Sequence, residues 1–174
     1  MDVTGKMRGR RHSIILLLLF CFVSLQGQQT DISVRVFPSS WYNKYFEPGF
    51  EGGGICAAYH PILSKVLRLN VSAEYSFLRT RNEVLLGFGI NKTIWQAERF
   101  RVSMEANLLN GIDLYRPAPL YAGGIEGVGR FDFYLTRKLT LFLGIGVRYL
   151  VCPGYRSYGV WRYSSWPVML GVRF

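Results

Sequence analysis

The sequence predicts an all-β fold: a closed, eight-stranded, antiparallel up-and-down β-barrel that crosses a membrane. Eight successive segments read as strands, and in all but residues 50–60, which are too rich in small residues to assign faces, apolar side chains alternate with small or polar ones. This is the two-residue period of a strand with two different faces. The connections between these segments are mostly long on one side and short on the other. Charged residues of both signs share the second face with glycine, and this combination favours a packed interior over a wet surface.

Residues 1–27 have the features of a secretory signal peptide. Four basic residues precede an apolar run of 13 residues, Ser13–Leu25. This run is shorter than the roughly 20 residues that a membrane-spanning helix needs. Small and polar residues follow it, as they do at a cleavage site. We therefore predict a signal peptide at 1–27 and an outer-membrane barrel at 28–174.

The charge and the cysteines restrict the partners and the chemistry. The full chain carries a formal charge of +10, and residues 1–27 account for +3 of it, which leaves +7 for residues 28–174. A basic exported protein suits anionic partners such as lipopolysaccharide phosphates, and we expect no nucleic-acid partner. Cys56 and Cys152 remain after processing, and their separation in sequence leaves open whether they pair. No CxxC or HExxH spacing occurs, so we predict no metal, cofactor or catalytic residues.

The eight predicted strands follow in chain order. Residues 67–78 show the alternation most clearly, because each odd-numbered residue there is apolar or aromatic and each even-numbered residue is polar up to Ser76. Lys92 falls on the apolar side of its strand, which indicates a β-bulge or the rim of the membrane. The predicted strands are "ISVRVF" (32–37), "FEGGGICAAYH" (50–60), "LRLNVSAEYSFL" (67–78), "EVLLGFGINKTIW" (83–95), "RFRVSMEANLLNGIDL" (99–114), "GIEGVGRFDFYL" (124–135), "LTLFLGIGVRY" (139–149) and "WPVMLGVRF" (166–174).

The connections have the asymmetry of a transmembrane barrel. Three of the four odd-numbered connections are long, namely 38–49, 115–124 and 152–167, whereas the even-numbered ones are short turns. Long outer loops and short periplasmic turns are typical of outer-membrane barrels. An even number of strands also places both chain ends on the side of the short turns.

The mixed face of the strands distinguishes a membrane barrel from a soluble one. A soluble ligand-binding barrel alternates as well, with its apolar face turned inward, and this reading remains an alternative. Charges of both signs at mid-strand favour an interior in which they neutralise each other, since arginine and carboxylate groups match in geometry. The predicted interior charge network comprises Arg35, Arg68, Glu74, Arg101, Glu105, Glu126, Arg130, Asp132 and Arg148.

The C-terminus carries a resemblance to a known family. Val168, Leu170, Val172 and Phe174 alternate up to a terminal aromatic residue. Together with the signal peptide and the eight strands, this pattern resembles the small outer-membrane β-barrels of Gram-negative bacteria, the OmpA-like transmembrane fold. The resemblance implies an outer-membrane location and a last strand that the barrel-assembly machinery reads. The "GQQTD" start resembles that of exported proteins of Bacteroidota.

The predicted function is non-enzymatic and lies in the outer loops. An eight-stranded barrel is just wide enough for its own side chains, so we expect a packed plug and not a general porin. In the last long loop, aromatic residues alternate with arginines. Aromatic rings stack on sugars, and guanidinium groups pair with phosphates. Its candidate surface contacts are Tyr155, Arg156, Tyr158, Trp161, Arg162 and Tyr163, with Arg79 and Arg81 expected on the same basic outer rim.

Two other readings of the function remain open. One alternative is a structural component or an accessory subunit of a larger envelope complex. A lipid-A-modifying enzyme needs a nucleophile and a base within reach of each other. His60, the one histidine after the signal peptide, and Ser64 fall on the predicted periplasmic side, away from lipid A, and we expect His60 to cap a turn before Pro61.

Overall fold

The computed structural model describes residues 29–42, 45–79, 81–114, 119–154 and 162–174, with the backbone alone at 40–42 and 45–48. The predicted signal peptide at 1–27 lies outside the described residues. None of the described residues belongs to a helix long and apolar enough to span a membrane.

The described residues form one antiparallel sheet that closes on itself. β1 pairs with β2 on one side and with β8 and β9 on the other, and β7 pairs with β8 and β9 as well. The strands are β1 (Gln29–Tyr42), β2 (Tyr45–His60), β3 (Leu67–Leu78), β4 (Asn82–Gln96), β5 (Phe100–Asp113), β6 (Leu120–Tyr134), β7 (Thr140–Val151), β8 (Arg162–Ser165) and β9 (Val168–Arg173).

β8 and β9 occupy a single position in the barrel, between β7 and β1. The break between them falls at Trp166 and Pro167, and proline has no N–H to donate to a strand ladder. The Pro167 carbonyl still accepts a hydrogen bond of 2.9 Å from the amide of Gly146. The barrel therefore has eight strand positions, and the predicted fold class is confirmed.

The strand ends differ from the prediction on the outer side. Residues 38–49 were expected to form a loop, but β1 and β2 continue to pair as far as Tyr42 and Tyr45. The pairing steps across an irregularity after Phe37, where β2 carries extra residues and Gly49 and Gly52 have φ values of 139° and 148°. Glycine adopts such values without a steric penalty. The predicted loop at 152–167 likewise contains β8, which pairs with this extension of β1.

The two faces of the sheet have opposite chemistry. Asp31, Arg35, Glu74 and Arg148 point inward and are buried. The outward side chains are mainly apolar, and the large ones that are more than half exposed include Val34, Leu86, Met104, Leu108, Ile145 and Leu170. An apolar exterior on a closed sheet suits lipid, because closure pairs the backbone groups that hydrocarbon cannot satisfy. The soluble-barrel alternative, with the apolar face inside, is therefore wrong.

Inward glycines make room for the larger side chains of the interior. A Cβ atom on Gly171 would lie 2.4 Å from Cζ of Phe142 and 2.5 Å from the backbone oxygen of Ile32. A Cβ atom on Gly144 would lie 2.5 Å from Cγ of Met169. In contrast, Gly127 lies on the exposed face and has open space where its Cβ would be.

This contrast generates a prediction about stability. Gly171→Ala forces a methyl group against ring and backbone atoms, and such overpacking costs about 1–3 kcal/mol. Gly127→Ala is the matched control, and we expect it to leave the free energy of unfolding nearly unchanged. Urea unfolding in detergent micelles, followed by the heat-modifiable mobility of the folded barrel, measures both. Equal unfolding midpoints for the two variants would contradict the packing described here.

Candidate functional site

Four charged side chains from four strands form a neutral cluster in the interior, the central cluster. The Arg148 guanidinium binds both oxygens of Glu74, with distances of 2.7 and 2.6 Å. Its Nε donates to Oε2 of Glu126 at 2.8 Å. Arg35 Nη1 contacts the same oxygen of Glu126 at 2.7 Å and Oε2 of Glu74 at 2.9 Å. All four residues are buried, so each charge is compensated where water does not reach.

A second cluster, the inner cluster, surrounds Asp31 near the first residues of β1 and the last residues of β9. Arg173 binds both oxygens of Asp31, at 2.6 and 2.9 Å. His60 Nε2 lies 2.9 Å from Oδ2 of Asp31, and Arg130 also pairs with this carboxylate. Asp31 and Arg173 lie directly opposite each other on β1 and β9. The inner cluster therefore joins the first and last strands at the seam that closes the barrel.

Of the remaining predicted members of the charge network, Arg101, Asp132 and Glu105 are buried and bonded in the interior, whereas Arg68 is not fully buried. Arg101 donates to Asp132 with its Nε at 2.7 Å, and Asp132 also pairs with Arg130 and Arg173. Glu105 accepts a hydrogen bond of 2.7 Å from Asn91 and lies 3.4 Å from Nη1 of Arg130. Arg68 is only partly buried and donates to the side chain of Gln29.

Sequence reasoning missed two members of the inner cluster. Asp31 precedes the predicted first strand, yet it shares the inward parity of Ser33 and Arg35, which is the signal that identifies it. His60 was expected to cap a turn, and that prediction is wrong because His60 is the last residue of β2 and its buried side chain bonds to Asp31 inside the barrel. Ser64 lies in an exposed turn, where its Oγ accepts a hydrogen bond of 3.1 Å from the amide of Leu67.

A third polar group, the outer cluster, lies near the outer end of the barrel. Arg81 Nε contacts Glu83 at 2.9 Å and Asp113 at 3.0 Å. Its guanidinium lies 4.0 Å from the centre of the Tyr163 ring, and the Tyr163 hydroxyl donates to Glu83. A buried apolar layer contacts Tyr163 and consists of Leu85, Leu109, Ala122, Leu150 and Cys152.

The outer cluster corrects two sequence predictions. Tyr163 was expected on the exposed loop, but it lies on β8 and is 5% exposed, because strand alternation turns it inward beside an exposed Arg162. Arg81 was expected on the outer rim, and its side chain is buried against Glu83 and Asp113. Four further predicted contacts, Tyr155, Arg156, Tyr158 and Trp161, lie outside the described residues.

Side chains fill the described part of the barrel interior. A water-filled lumen would leave inward side chains accessible, but Arg101, Ser103, Asp132 and Leu150 have no exposed fraction. Apolar groups pack beside the ion pairs, and the Arg130 guanidinium lies 3.5 Å from the centre of the Phe142 ring. Further buried apolar packing comes from Val128 and Met169.

The two described cysteines do not pair with each other, and the described acidic residues do not form a metal-type group. Cys56 and Cys152 are buried, free thiols. No group of three or more histidine, cysteine, aspartate or glutamate side chains in the described ranges is arranged to hold a metal ion.

Comparison with known proteins gives a structural likeness. No protein-family model matches the chain, and no curated protein is similar to it in sequence. The crystal structure of Neisserial surface protein A superposes with a TM-score of 0.62 at 14% identity, and covers 85% of this chain and 96% of that one. A de novo designed transmembrane β-barrel superposes with a TM-score of 0.47 at 11% identity, over 84% of this chain and 93% of that one. Ail, the attachment invasion locus protein of Yersinia pestis, superposes with a TM-score of 0.48 at 9% identity, over 84% of this chain and 99% of that one.

The fold and the apolar exterior together define the class of protein. A closed barrel of eight strand positions, superposable on Neisserial surface protein A over most of both chains, has the fold of the small outer-membrane β-barrels. The band of outward apolar side chains requires a lipid environment. The chain is thus a transmembrane β-barrel of the outer membrane.

The central cluster generates a prediction. Arg148→Met removes the cation that Glu74 and Glu126 share, which leaves buried carboxylates short of a partner. Breaking a buried pair in this way costs about 3–5 kcal/mol. Arg137→Met, in an exposed turn, is the matched control and is expected to unfold at the urea concentration of the unaltered protein. A stability of Arg148→Met equal to that of the control would show that the cluster does not hold the interior together.

Proposed function

We propose that this protein is a non-enzymatic, non-conducting barrel that acts at the cell surface through its outer loops, with lipopolysaccharide as the partner. The observation that carries the proposal is the filled interior. Ion pairs connect opposite walls, as between Arg148 on β7 and Glu74 on β3, and leave no described route for a solute. The part of the molecule that meets other molecules is therefore its ends and its lipid-facing belt.

The last outer loop is the proposed contact surface. Its sequence interleaves Tyr155, Arg156, Tyr158, Trp161 and Arg162. Guanidinium groups pair with phosphates through charge-assisted hydrogen bonds, and aromatic rings offer flat apolar faces to sugars. Both chemistries match the phosphorylated sugars of lipopolysaccharide.

The outer cluster supports this proposal because it holds one end of that loop. Tyr163 follows Arg162 directly and is held between Arg81 and Glu83 inside the barrel. β8 also pairs with β7 and with the extended end of β1. Arg162 is thus exposed at the first residue of a strand that is paired on both sides.

A non-enzymatic role is supported by the placement of the histidine. His60 bonds to Asp31 within the inner cluster, near the end of the barrel where β1 begins and β9 ends. Lipid A lies in the opposite leaflet, and general-base catalysis requires hydrogen-bond reach to the proton that is abstracted.

For assembly, we propose that the last strand serves as the signal read by the barrel-assembly machinery. Leu170 and Phe174 are exposed on the lipid-facing side of the strand, and Val168 and Val172 are partly exposed there. A machine that receives the strand laterally from the membrane would contact these side chains.

The test combines binding with conductance. Arg156→Ser together with Arg162→Ser removes two loop cations, each worth about fivefold in affinity near an anionic lipid surface. We expect the double variant to retain much less lipopolysaccharide on purification than the unaltered protein. Arg137→Ser with Lys138→Ser, in the periplasmic turn, is the charge-matched control.

The same protein is placed in planar bilayers. We expect no stepwise current, because the interior charges are paired and the lumen is filled. Regular conductance steps would overturn the non-conducting barrel. Unchanged lipopolysaccharide retention in the loop variant would overturn the loop as the contact surface, and copurification of envelope proteins that is lost in this variant would favour an accessory subunit instead.

A further inference from the structure

A β-bulge near the inner end of β4 turns two consecutive side chains outward. The pairing of β4 with β5 slips between Thr93 and Trp95, so that Trp95 lies opposite Val102. Because side chains on a regular strand alternate, this slip places Ile94 and Trp95 on the same exterior, with exposed fractions of 55% and 53%. A bulge or the membrane rim was expected from the position of Lys92; the bulge lies beyond Lys92, which stays on the outward side opposite Met104.

The turn between β2 and β3 extends the same surface. The amide of Thr93 donates to the backbone oxygen of Val66 at 2.8 Å, and the amide of Leu69 donates to that of Pro61 at 2.9 Å. These bonds hold the turn beside the end of β4. Ile62 and Val66 are exposed there.

Two lysines accompany these apolar groups. Lys92 is exposed on the lipid-facing side of β4, opposite Leu67 on β3 and Met104 on β5. Lys65 is exposed in the adjoining turn. A cation on the lipid-facing side of a barrel is costly at mid-bilayer and costs little near the interface. We therefore infer that Lys92 lies near the membrane interface, where its long side chain places the ammonium among the lipid headgroups.

We propose that this surface, the inner-rim patch of Lys65, Val66, Lys92, Ile94 and Trp95, binds the phosphate headgroup of an anionic phospholipid in the inner leaflet. Lys92 and Lys65 contact the phosphate. Trp95 packs its ring against the start of the acyl chains and keeps its N–H toward the headgroup, the position that tryptophan favours at interfaces.

Charge complementarity supports a lipid as the occupant. The nearby turn at 97–99 carries one acid and one base, Glu98 and Arg99, so the surroundings of the two lysines stay positive. The apolar side chains of the patch continue the lipid-facing belt through Ile90 and Leu67. A lipid that is already in the belt meets the cations without leaving the membrane.

The experiment uses Trp95 as its own reporter. Trp41→Phe, Trp161→Phe and Trp166→Phe together leave Trp95 as the single tryptophan of the mature chain. The protein is reconstituted in phosphatidylcholine vesicles that contain brominated phosphatidylglycerol or, separately, brominated phosphatidylcholine. We expect stronger quenching of Trp95 by the anionic lipid, and a loss of about fivefold in relative association for each of Lys65→Gln and Lys92→Gln.

Matched variants make the outcome decisive. Lys138→Gln, in the turn between β6 and β7, should leave the preference unchanged, and Lys92→Arg should retain it. Heat-modifiable mobility verifies that every variant is folded. Equal quenching by the two lipids in the protein with both lysines would overturn the site. An equal loss in Lys138→Gln would also overturn it, because the attraction would then come from the whole basic rim.

Discussion

The structure depends on one constraint: the backbone N–H and C=O groups of a sheet find no hydrogen-bond partners in the hydrocarbon of a membrane. A sheet in lipid must satisfy every edge group by pairing with itself, and here β1 closes against β8 and β9. Asp31 and Arg173 face each other across that seam and pair through their side chains as well. The first strand and the last strand are thus joined both by backbone hydrogen bonds and by an ion pair. The inner cluster then links the seam to β6 through Arg130.

Closure with eight strand positions leaves an interior that only side chains can fill. The central cluster meets this constraint with two arginines and two glutamates, and the outer cluster adds the Arg81, Glu83 and Tyr163 contacts. Buried charges of this kind are tolerated because each is paired and hydrogen-bonded. Glycines such as Gly171 leave room for the ring of a residue on the neighbouring strand, here Phe142. A filled interior in turn moves any contact with other molecules to the ends of the barrel.

The two ends offer different chemistry to their surroundings. At the outer end, buried Tyr163 holds the base of a loop whose sequence is rich in arginine and aromatic residues. At the inner end, the bulge in β4 exposes Trp95 beside the lipid-facing Lys92. The likeness to Neisserial surface protein A at 14% identity extends to the fold. The contacts proposed at each end therefore rest on the residues of this chain.

The sequence by itself determined the number of strand positions and the two faces of each strand, because a period of two is a local property of the backbone. The closed structure decided that the apolar face is the exterior. The strand at 67–78 was predicted to the residue. Only the tertiary structure decided which inward charges meet. Arg148 reaches Glu74 across 74 positions of sequence, a contact that depends on how the closed sheet brings its walls together. Tyr163 was misplaced for the same reason, because it lies on β8, a strand whose pairing with β7 and β1 no local pattern reveals. His60 and Arg81 likewise find partners from other parts of the sequence, Asp31 and Asp113.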